Sequence, residues 1–378
     1  MEMKRTWVEV SKSALLHNIK AIKAHVSPTP VMAVVKANAY GHDPVLVAKI
    51  VASEAAWFGV DDLDEAIQLR KAGIKKPILV LGYVRMNRLA DCARFSVSFV
   101  AYNSETLKAL KKLKAKKGAF KIHIKIETGT TRQGIMAGDD LDAFLRMAQA
   151  IPSVHIEGAL THFANIEDTT DPSYAMGQLK AYEKALVQIK KHGVVLTVRH
   201  AAASAGAILY PQARFDLIRF GMSLYGHWSS KETKVSAAYR SRTLTFVPSM
   251  TWKTIVAQVK SVKKNTPVSY GLTERVSRDS KIAVLPVGYW DGFPRSLSSV
   301  GHVLVRGHRC KVVGRVCMNM MMVDVTDIAG VKVEDEVVLI GTQGSETISA
   351  EELAGWAGTI QYEFLTRINP LIERKLVK

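Results

Sequence analysis

The sequence predicts an α/β protein in which a (β/α)8 TIM-like barrel is followed by a mostly β C-terminal domain. Short apolar runs alternate with helical patterns eight times before about residue 226, which is typical of a parallel sheet covered by helices. From about residue 243 the chain is rich in valine, threonine and isoleucine, with glycine, proline and asparagine between the runs. A doubly wound open sheet would also alternate strands and helices, but it usually has fewer strands. No glycine-rich dinucleotide motif follows the first strand either, so the barrel is favoured.

Each predicted barrel strand is a short apolar or β-branched run bounded by polar or turn-forming residues. The eight strand candidates are residues 32–36, 56–60, 77–82, 96–102, 121–128, 155–163, 198–204 and 217–225. Most are separated by apolar residues at helical spacing, in residues 44–53, 62–72, 105–116, 141–150 and 174–192. The connection between residues 82 and 96 has no clear pattern.

The second part of the chain is predicted to form strands in four regions and to return to helix near its end. The β-rich regions are residues 244–260, 276–287, 302–316 and 320–325, and the helical ones are 349–357 and 362–368. We therefore expect a barrel domain at residues 1–240 and a β-rich domain at residues 241–378. The first ten or so residues are left open to either domain.

The composition fits a globular chain with a basic surface. The 378 residues carry 52 basic and 34 acidic side chains, a net charge of +18. Six lysines between residues 108 and 117 form the densest basic cluster, and leucines at helical spacing lie between them. This pattern predicts an amphipathic helix with a solvated lysine face. Since no nucleic-acid-binding motif accompanies it, we do not expect nucleic acid as a partner.

Neither a membrane association nor a metal site is expected. The first residues lack the continuous apolar core of a signal peptide, and no segment approaches the ~18 uncharged apolar residues of a membrane span. The three cysteines, Cys92, Cys310 and Cys317, have no paired spacing, so neither a disulfide framework nor a zinc site is predicted. We expect a cytoplasmic protein.

Lys36 and its neighbours carry the strongest single indication of chemistry. An apolar run ends on Lys36, and Tyr40 and Gly41 follow within five residues. A lysine at the end of a buried strand has its amine in a cleft, where it can form a Schiff base. Pyridoxal 5'-phosphate (PLP) requires such a lysine and a phosphate anchor, which Tyr40 could supply. The same pattern fits a lysine that merely ends a strand and points to water, so both interpretations stay open here.

Polar residues close several other strand candidates. Catalytic groups of a (β/α)8 barrel lie at the C-terminal ends of its strands. Lys125, Glu127 and Arg132 lie at the end of the fifth strand, Thr161 and His162 close the sixth, Ser204 closes the seventh, and Arg219 lies within the eighth with Gly221 after it. Any one of them could be structural, but their convergence on one rim predicts an active site.

Several motifs recur together in one known family. They are residues 35–42 (VKANAYGH), Thr128-Gly129 with Arg132 and Gly134, residues 157–158 with 161–163, residues 219–221 (RFG), residues 268–271 (VSYG), residues 287–289 with Asp291-Gly292, and residues 314–318 (GRVCM). On these residues the chain resembles the alanine racemases, PLP enzymes of fold-type III, over nearly its whole length. The first motif is shared with other fold-type III proteins, whereas those of the second domain are more specific to racemases.

The resemblance implies interconversion of L- and D-alanine by two opposed acid/base residues, supplying D-alanine for peptidoglycan. Lys36 would hold PLP and act on one face of the substrate, and Tyr270 would act on the other. His162 and Arg219 match the histidine and arginine that assist the tyrosine in series. Arg219 would also face the pyridine nitrogen of PLP. Because arginine keeps its proton, it weakens the electron sink, which suits racemisation better than transamination.

The resemblance also implies which residues bind the cofactor and the substrate. Tyr40, Ser204, Tyr362 and the backbone N–H groups of Gly221 and Met222 would bind the PLP phosphate. Arg132 and the backbone of Met318 would meet the substrate carboxylate, and Lys125 matches a lysine that is often carbamylated and orients that arginine. Tyr289, Arg295 and Arg315 match positions along the access passage. Tyr270 would reach the active site of a partner subunit, so a homodimer with shared active sites is implied.

Four positions depart from the family pattern. Ala203 stands where asparagine is usual, Glu127 where aspartate is usual, Thr130 where methionine is common, and Asn319-Met320 where Asp-Gln is usual. None of these changes removes a named catalytic residue. Asn319 and Ala203 bear on substrate range and cofactor affinity. From Asn319, Met320 and Ala203 we hypothesise that the pocket accepts substrates beyond alanine, such as serine.

Three alternatives compete with an alanine racemase. A fold-type III decarboxylase usually sets an acidic group against the pyridine nitrogen, which Arg219 argues against. A PLP carrier without catalysis consists of the barrel alone, so the second domain with Tyr270 argues against it. A racemase of another amino acid is poorly discriminated by sequence.

Overall fold

The computed structural model describes residues 4–240 and 244–378, and its chain divides into two compact units. The barrel unit contains residues 13–39 and 44–248, and the β-rich unit contains the residues up to 12, residues 40–43 and residues 249–378. The boundary predicted after residue 240 adjoins residues 241–243, which lie outside the described residues, as do residues 1–3.

The barrel unit is built on eight parallel strands within the described residues, as the sequence predicts. In chain order, barrel strands one to eight are Val31–Val34, Trp57–Val60, Ile78–Val80, Ser98–Ala101, Phe120–Lys125, Val154–Leu160, Val198–His200 and Ile218–Phe220. Their order in the sheet is 7-6-5-4-3-2-1-8. Strands seven and eight meet through single backbone bonds, from Asp216 N–H to Arg199 O at 3.0 Å and from Arg219 N–H to Ala202 O at 3.0 Å.

Most of the barrel strands are buried on both faces, as expected where helices cover a parallel sheet. One buried cluster joins residues from strands or strand ends around the barrel: Met32, Leu79, Val100, Leu160, Val198 and Leu217. The covering helices are Lys12–Val26, Pro44–Val51, Leu63–Lys71, Leu89–Arg94, Ser104–Lys111, Asp139–Gln149, Ser173–Lys191, Ser204–Leu209 and Lys231–Tyr239. The connection without a clear pattern is a 3-10 turn, Met86–Arg88, followed by the short helix Leu89–Arg94.

The lysine-rich helix is shorter than the sequence predicts. Asn103 caps its start by accepting from the Thr106 N–H, but the helix ends at Lys111 rather than at residue 116. Strand five begins at Phe120, so the chain must turn before it, and Leu113 N–H bonds back to Leu110 O in a tighter turn. The lysines at 114, 116 and 117 therefore lie in the connecting loop.

The β-rich unit contains three sheets within the part of the chain that the structure describes. The largest has the order His308–Lys311, His302–Val305, Glu336–Gln343, Met250–Ile255, Thr6–Ser11, Glu373–Val377, and Glu346–Ile348 pairs with its third strand. The others consist of Gln258–Val262, Ser280–Leu285 and Met321–Asp324, and of Pro267–Val268 with Glu274–Arg275. Helices Ala350–Ala357 and Gln361–Thr366 lie near the helical regions predicted there.

Four strands of the largest sheet lie outside the regions predicted from the sequence: Thr6–Ser11, Glu336–Gln343, Glu346–Ile348 and Glu373–Val377. Thr6–Ser11 pairs antiparallel with Met250–Ile255 and parallel with Glu373–Val377, and Glu336–Gln343 pairs with Met250–Ile255 on its other side. Two of these four strands, Thr6–Ser11 and Glu373–Val377, come from opposite ends of the chain. A periodicity read along the chain gives no indication of such a distant partner.

Across residues 4–240 and 244–378, no helix has both the length and the apolar character that a membrane crossing requires.

Candidate active site

Lys36 opens a left-handed turn after barrel strand one. The strand ends at Val34 rather than at Lys36, and φ at residues 37, 38, 39 and 40 is 52°, 56°, 50° and 52°. Four consecutive non-glycine residues in this region cost about 1–2 kcal/mol each, so the surroundings must hold the turn in place. The prediction that Lys36 ends the strand was wrong by two residues, but the lysine does lie at the C-terminal rim.

Two acidic residues that follow barrel strand two, Asp61 and Glu65, hold this turn in place. Glu65 accepts the backbone N–H of Ala37 at 2.6 Å and that of Asp61 at 2.7 Å. Asp61 also accepts from the Lys36 amine, with 2.8 Å between Oδ1 and Nζ. Both side chains of this ion pair are partly exposed, so it contributes only about 0–1 kcal/mol. The ion pair therefore orients the Lys36 amine but does not hold it firmly.

Glu127 organises the loop that carries Arg132. Its carboxylate accepts the backbone N–H groups of Gly129 at 2.6 Å, Thr130 at 2.7 Å and Arg132 at 3.2 Å. Burial on its own raises the pKa of Glu127, but these backbone donors lower it below the ordinary value. The glutamate that replaces the usual aspartate therefore still acts as the anion of this loop. Arg132 itself is exposed on the loop.

Lys125 is buried at the end of strand five. Its amine lies 3.4 Å from Gln133 Oε1, and no carboxylate within residues 4–240 and 244–378 forms an ion pair with it. Burial, together with the positive charges of Arg132 and Arg219, lowers the pKa of Lys125 to about 8. The amine is therefore partly neutral near neutral pH.

Arg219 on strand eight is a buried guanidinium held from several sides. Its Nη2 donates to the carbonyl oxygens of Thr161 at 2.9 Å and Ala201 at 2.7 Å. Its Nη1 donates to Nδ1 of His200 at 2.8 Å and to the His200 carbonyl at 3.2 Å. Burial lowers the pKa of Arg219 to about 10, so it remains a cation at neutral pH.

His162 lies beside this arginine after strand six. Arg219 Nη2 is 3.1 Å from His162 Nδ1, and because arginine can only donate, Nδ1 accepts. Burial and the neighbouring charges of Arg219 and Arg132 hold the pKa of His162 well below its ordinary value. His162 is therefore a neutral ring whose hydrogen is on Nε2, which makes Nε2 a hydrogen-bond donor.

A group of donors suited to a phosphate lies at the ends of strands seven and eight. Ser204 Oγ is 3.3 Å from the backbone nitrogen of Gly221, and Met222 begins the 3-10 turn Met222–Tyr225. Hydroxyl and backbone N–H groups that converge in this way are ordinary anion ligands. Ala203, the departure from asparagine, precedes Ser204 in an extended conformation and supplies no side-chain hydrogen bond.

Tyr40 and Tyr362 meet in the β-rich unit. Their ring centroids are 6.3 Å apart and the rings are tilted. The Arg374 Nε donates to the Gly41 carbonyl at 2.9 Å, and a Cβ at Gly41 would lie 2.4 Å from the Leu365 carbonyl oxygen. Glycine is therefore required where this segment packs in the β-rich unit.

Tyr270 is exposed on a strained turn of the β-rich unit, with 71% of its surface accessible. Ser269 and Leu272 have φ of 67° and 51°, and the Ser269 hydroxyl donates to the Arg315 carbonyl at 2.6 Å. A Cβ at Gly271 would lie 3.1 Å from the Arg315 guanidinium carbon. The turn that carries Tyr270 thus packs against Arg315 through Ser269 and Gly271.

Backbone hydrogen bonds join the segment of Tyr289 and Trp290 to that of Cys317 and Met318. Tyr289 N–H donates to the Cys317 carbonyl at 3.0 Å, and Trp290 N–H donates to the Met318 carbonyl at 2.9 Å. Cys317 N–H bonds to the Met320 carbonyl at 2.9 Å, which closes a tight turn around the departure at Asn319. Arg295 is exposed at the start of the 3-10 turn Arg295–Leu297.

Sequence reasoning missed several residues that support these groups. Asp61 and Glu65 contact the lysine turn, while His123, Glu157 and His200 extend the contacts of Arg219 into the barrel. One signal was available for His123, because it lies two residues before Lys125 and so shares its strand face. Asp61 and Glu65 could not be found in this way, since they do not lie on the strand that precedes Lys36.

The fold and the rim define the chain as a two-domain barrel enzyme with a lysine after its first strand, the fold-type III class. Models of the two alanine racemase domains both match it, the N-terminal domain at residues 10–228 and the C-terminal domain at residues 249–376. The chain belongs to the alanine racemase family, as the sequence motifs predict.

Known relatives match over nearly the full length. The alanine racemase of Desulforamulus reducens is 39% identical over 371 residues, which are 97% of this chain and 98% of the relative. That of Symbiobacterium thermophilum is 40% identical over 374 residues, 98% of this chain and 97% of the relative. The crystal structure of alanine racemase from Bacillus anthracis with bound L-Ala-P has a TM-score of 0.93 at 35% identity, and covers 100% of this chain and 96% of that one.

Proposed function

We propose that this chain is a PLP-dependent racemase that interconverts L- and D-alanine by a two-base mechanism and supplies D-alanine for peptidoglycan. The observation that carries the proposal is Arg219, a cation fixed by four hydrogen bonds to Thr161, Ala201 and His200. A fold-type III decarboxylase usually has an acidic group against the pyridine nitrogen. A cation in that place supports exchange of the α-proton instead. Membership of the alanine racemase family supports alanine as the substrate.

The residues of the barrel rim fit PLP. The Lys36 amine is accessible for covalent attachment, and Ser204 with the Gly221 backbone supplies adjacent donors for a phosphate. Met222, Tyr40 and Tyr362 are the further phosphate ligands of the proposal. Arg219 would face the pyridine nitrogen, and its hydrogen bonds leave it unable to move away.

When bound, PLP withdraws electrons from the α-carbon of an attached amino acid, which makes the proton on that carbon removable. Arg219 limits this effect, because a guanidinium does not give its proton to the ring nitrogen. Lys36 takes or returns the α-proton on one face. Tyr270 does so on the opposite face, which inverts the configuration.

His162 assists Tyr270 as a hydrogen-bond donor rather than as an acid. Arg219 occupies its Nδ1, so Nε2 carries the hydrogen and can donate to a phenolate oxygen. Because the pKa of His162 lies well below its ordinary value, the ring does not compete for the transferred proton. Arg219, His162 and Tyr270 thereby form a series in which only the tyrosine changes its protonation state.

Arg132 and the Met318 backbone bind the substrate carboxylate in this proposal. Glu127 fixes the backbone of the Arg132 loop, so the guanidinium is presented from an ordered turn. Carbamylation of Lys125 would set a negative charge among Arg132 and Arg219, whose charges already disfavour a protonated amine there. The anion would orient Arg132.

A homodimer completes the site, with Tyr270 reaching the active site of a second copy. Several apolar side chains of the β-rich unit are exposed near this tyrosine in the chain or on the segments bonded to its turn: Leu272, Tyr289, Trp290, Met318 and Met320. Exposed apolar groups of this kind are typical of an interface. Tyr289, Arg295 and Arg315 would line the access passage.

A chiral assay of the PLP-reconstituted protein against a panel of L-amino acids tests the proposal. We expect D-alanine to form fastest, and no racemisation of any amino acid would overturn the activity. Comparable rates with serine would support the broader substrate range suggested by Asn319, Met320 and Ala203, whereas negligible rates beside alanine would exclude it.

The covalent attachment has its own test in Lys36→Ala. The variant should lose the absorbance band of lysine-bound PLP together with turnover, since no other residue is proposed to supply the attaching amine. Normal cofactor absorbance and normal turnover in this variant would contradict the assignment of Lys36.

A further inference from the structure

A line of buried polar side chains connects Arg219 to a carboxylate deep in the barrel unit. Nη1 of Arg219 is 2.8 Å from Nδ1 of His200, and Nε2 of His200 is 3.0 Å from Nδ1 of His123. Nε2 of His123 is 3.2 Å from Oε2 of Glu157. All four residues are buried, and both histidine rings are fully inaccessible. They lie on strands eight, seven, five and six.

The two ends of this line fix the hydrogen positions between them. Arginine can only donate and a carboxylate can only accept, so each ring accepts at Nδ1 and donates from Nε2. Both rings must then be neutral. Burial, the largest influence on either ring, lowers the pKa of His200 well below its ordinary value and lowers that of His123 as well.

Glu157 is the ionised end of the line. Burial on its own raises the pKa of Glu157, but hydrogen bonds from His123 and Ser98 and the contact with Lys121 lower it to about 2. The Ser98 hydroxyl is 2.5 Å from Oε2, and the Lys121 amine is 3.1 Å from Oε1. The carboxylate is therefore ionised at neutral pH.

The local structure of the barrel is built around these groups. Strand five pairs with strand six in register up to Ile122 and Ile156, and then His123 pairs with Gly158, which leaves Glu157 as an extra residue. Bulges of this kind re-aim a side chain. A Cβ at residue 158 would lie 2.7 Å from Nδ1 of His123, so Gly158 makes room for the ring.

The opposite charges of Arg219 and Glu157 explain the effect of this line on the arginine. The hydrogen bonds of Arg219 go to carbonyl oxygens and neutral rings, although a buried cation is stable only with a compensating partner. Glu157 supplies the negative charge two imidazoles away. Hydrogen bonds in series polarise one another, so this charge makes Nδ1 of His200 a stronger acceptor for the guanidinium.

We infer that Glu157 and His123 are positioning residues for Arg219, and that they set its orientation and strengthen its hydrogen bond to His200 from inside the barrel. The inference rests on the proposed function, since it concerns the arginine placed against the ring nitrogen of PLP. Neither residue touches substrate or cofactor in this scheme. They act through His200 alone.

Glu157→Gln in the full-length, PLP-reconstituted protein tests the inference, because glutamine keeps the size and one acceptor but removes the charge. We expect the nitrogen-15 NMR signal of ring-labelled PLP to shift, and the kcat–pH profile to move while KM changes less than kcat. Glu157→Asp keeps the charge and should recover much of the wild-type signal. An unchanged PLP signal and an unchanged pH profile in Glu157→Gln would overturn the inference.

Ser98→Ala is the matched control. It removes one hydrogen bond to the same carboxylate, but a group with a pKa of about 2 stays ionised after that loss. The PLP signal and pH profile of this variant should match the wild type. If Ser98→Ala, Glu157→Asp and Glu157→Gln all changed these two readouts equally, the charge would not be responsible and the inference would fail.

A second measurement separates this inference from the proposed function. Nitrogen-15 spectra of the histidine rings in PLP-free protein should show Nε2–H tautomers for His123 and His200, and His123→Gln should alter the His200 signals. These outcomes do not depend on activity. If the ring signals were as expected but no racemisation occurred, only the proposed function would be contradicted. If either ring showed another tautomer, the hydrogen-bonded line from Arg219 to Glu157 would be contradicted.

Discussion

At the scale of single residues, the proposed chemistry depends on what each acid/base group touches. Lys36 is oriented by one weak ion pair with Asp61, and Tyr270 is exposed on its turn. His162, in contrast, has its tautomer fixed by Arg219. The two acid/base groups are therefore free to react, and the groups that support them are held rigidly.

Tyr270→Phe should remove proton transfer on one face while leaving the other face with Lys36. We expect removal of the α-proton from one alanine enantiomer to slow by about 10²–10⁴-fold, the usual contribution of a positioned acid/base, and to slow less from the other. Exchange of the α-hydrogen with deuterated solvent, measured separately for each enantiomer, gives the comparison. Equal small losses in both directions would argue against two bases.

Carbamylation of Lys125 should depend on pH in a defined direction. The pKa of Lys125 is lowered to about 8, so the reactive neutral amine is scarce below that pH and predominates above it. At a fixed concentration of dissolved CO2, a carbon-13 carbamate signal should rise as the pH is raised through about 8. Lys125→Arg should show no such signal, and a signal of equal size in that variant would assign the carbamate to another lysine.

At the scale of elements, the site consists of short segments whose conformation their neighbours impose. Residues 37–40 have no glycine and yet adopt a left-handed turn, because Glu65 holds the N–H of Ala37. Local propensity predicts the opposite hand for these residues. The strand before the turn was predictable from its apolar run, but the turn itself was not.

Gly134→Ala should disturb the Arg132 loop. Gly134 has φ of 149°, and a Cβ there would lie 2.5 Å from the backbone nitrogen of Glu127, so the backbone must move. We expect a loss of about 1–3 kcal/mol of stability and a higher KM for alanine, measured by thermal unfolding and by kinetics.

Gly177→Ala is the matched control for this substitution. Gly177 lies within helix Ser173–Lys191, and a Cβ added there would meet no neighbouring atom within 4 Å. Alanine should raise the stability by about 0.5–1 kcal/mol at this position and leave KM unchanged. Equal effects of the two substitutions would contradict the role given to the loop.

At the scale of the whole molecule, the proposed active site needs two chains. Mixing Lys36→Ala protein with Tyr270→Phe protein should restore part of the activity, because a mixed dimer has one site with both an intact lysine and an intact tyrosine. The measurement is racemisation after subunit exchange, with each variant alone as the control. No recovery once exchange is confirmed would argue against a shared site.

The sequence by itself determined the fold class and most of the rim. Eight apolar runs alternating with helices specify a barrel, and a barrel collects the polar residues at its strand ends, so Lys36, Lys125, His162 and Arg219 could be grouped from their positions alone. Motif resemblance added the tyrosine. These inferences need only periodicity and order along the chain.

Only the tertiary structure decided how those residues are held. The left-handed turn at Lys36 depends on Glu65, and the environment of Arg219 depends on His200, His123 and Glu157, which other strands supply. A bulge sets Glu157 where it meets His123. Strand register and bulges arise from pairing between distant segments, so their consequences for Lys36 and Arg219 are not encoded in any local pattern.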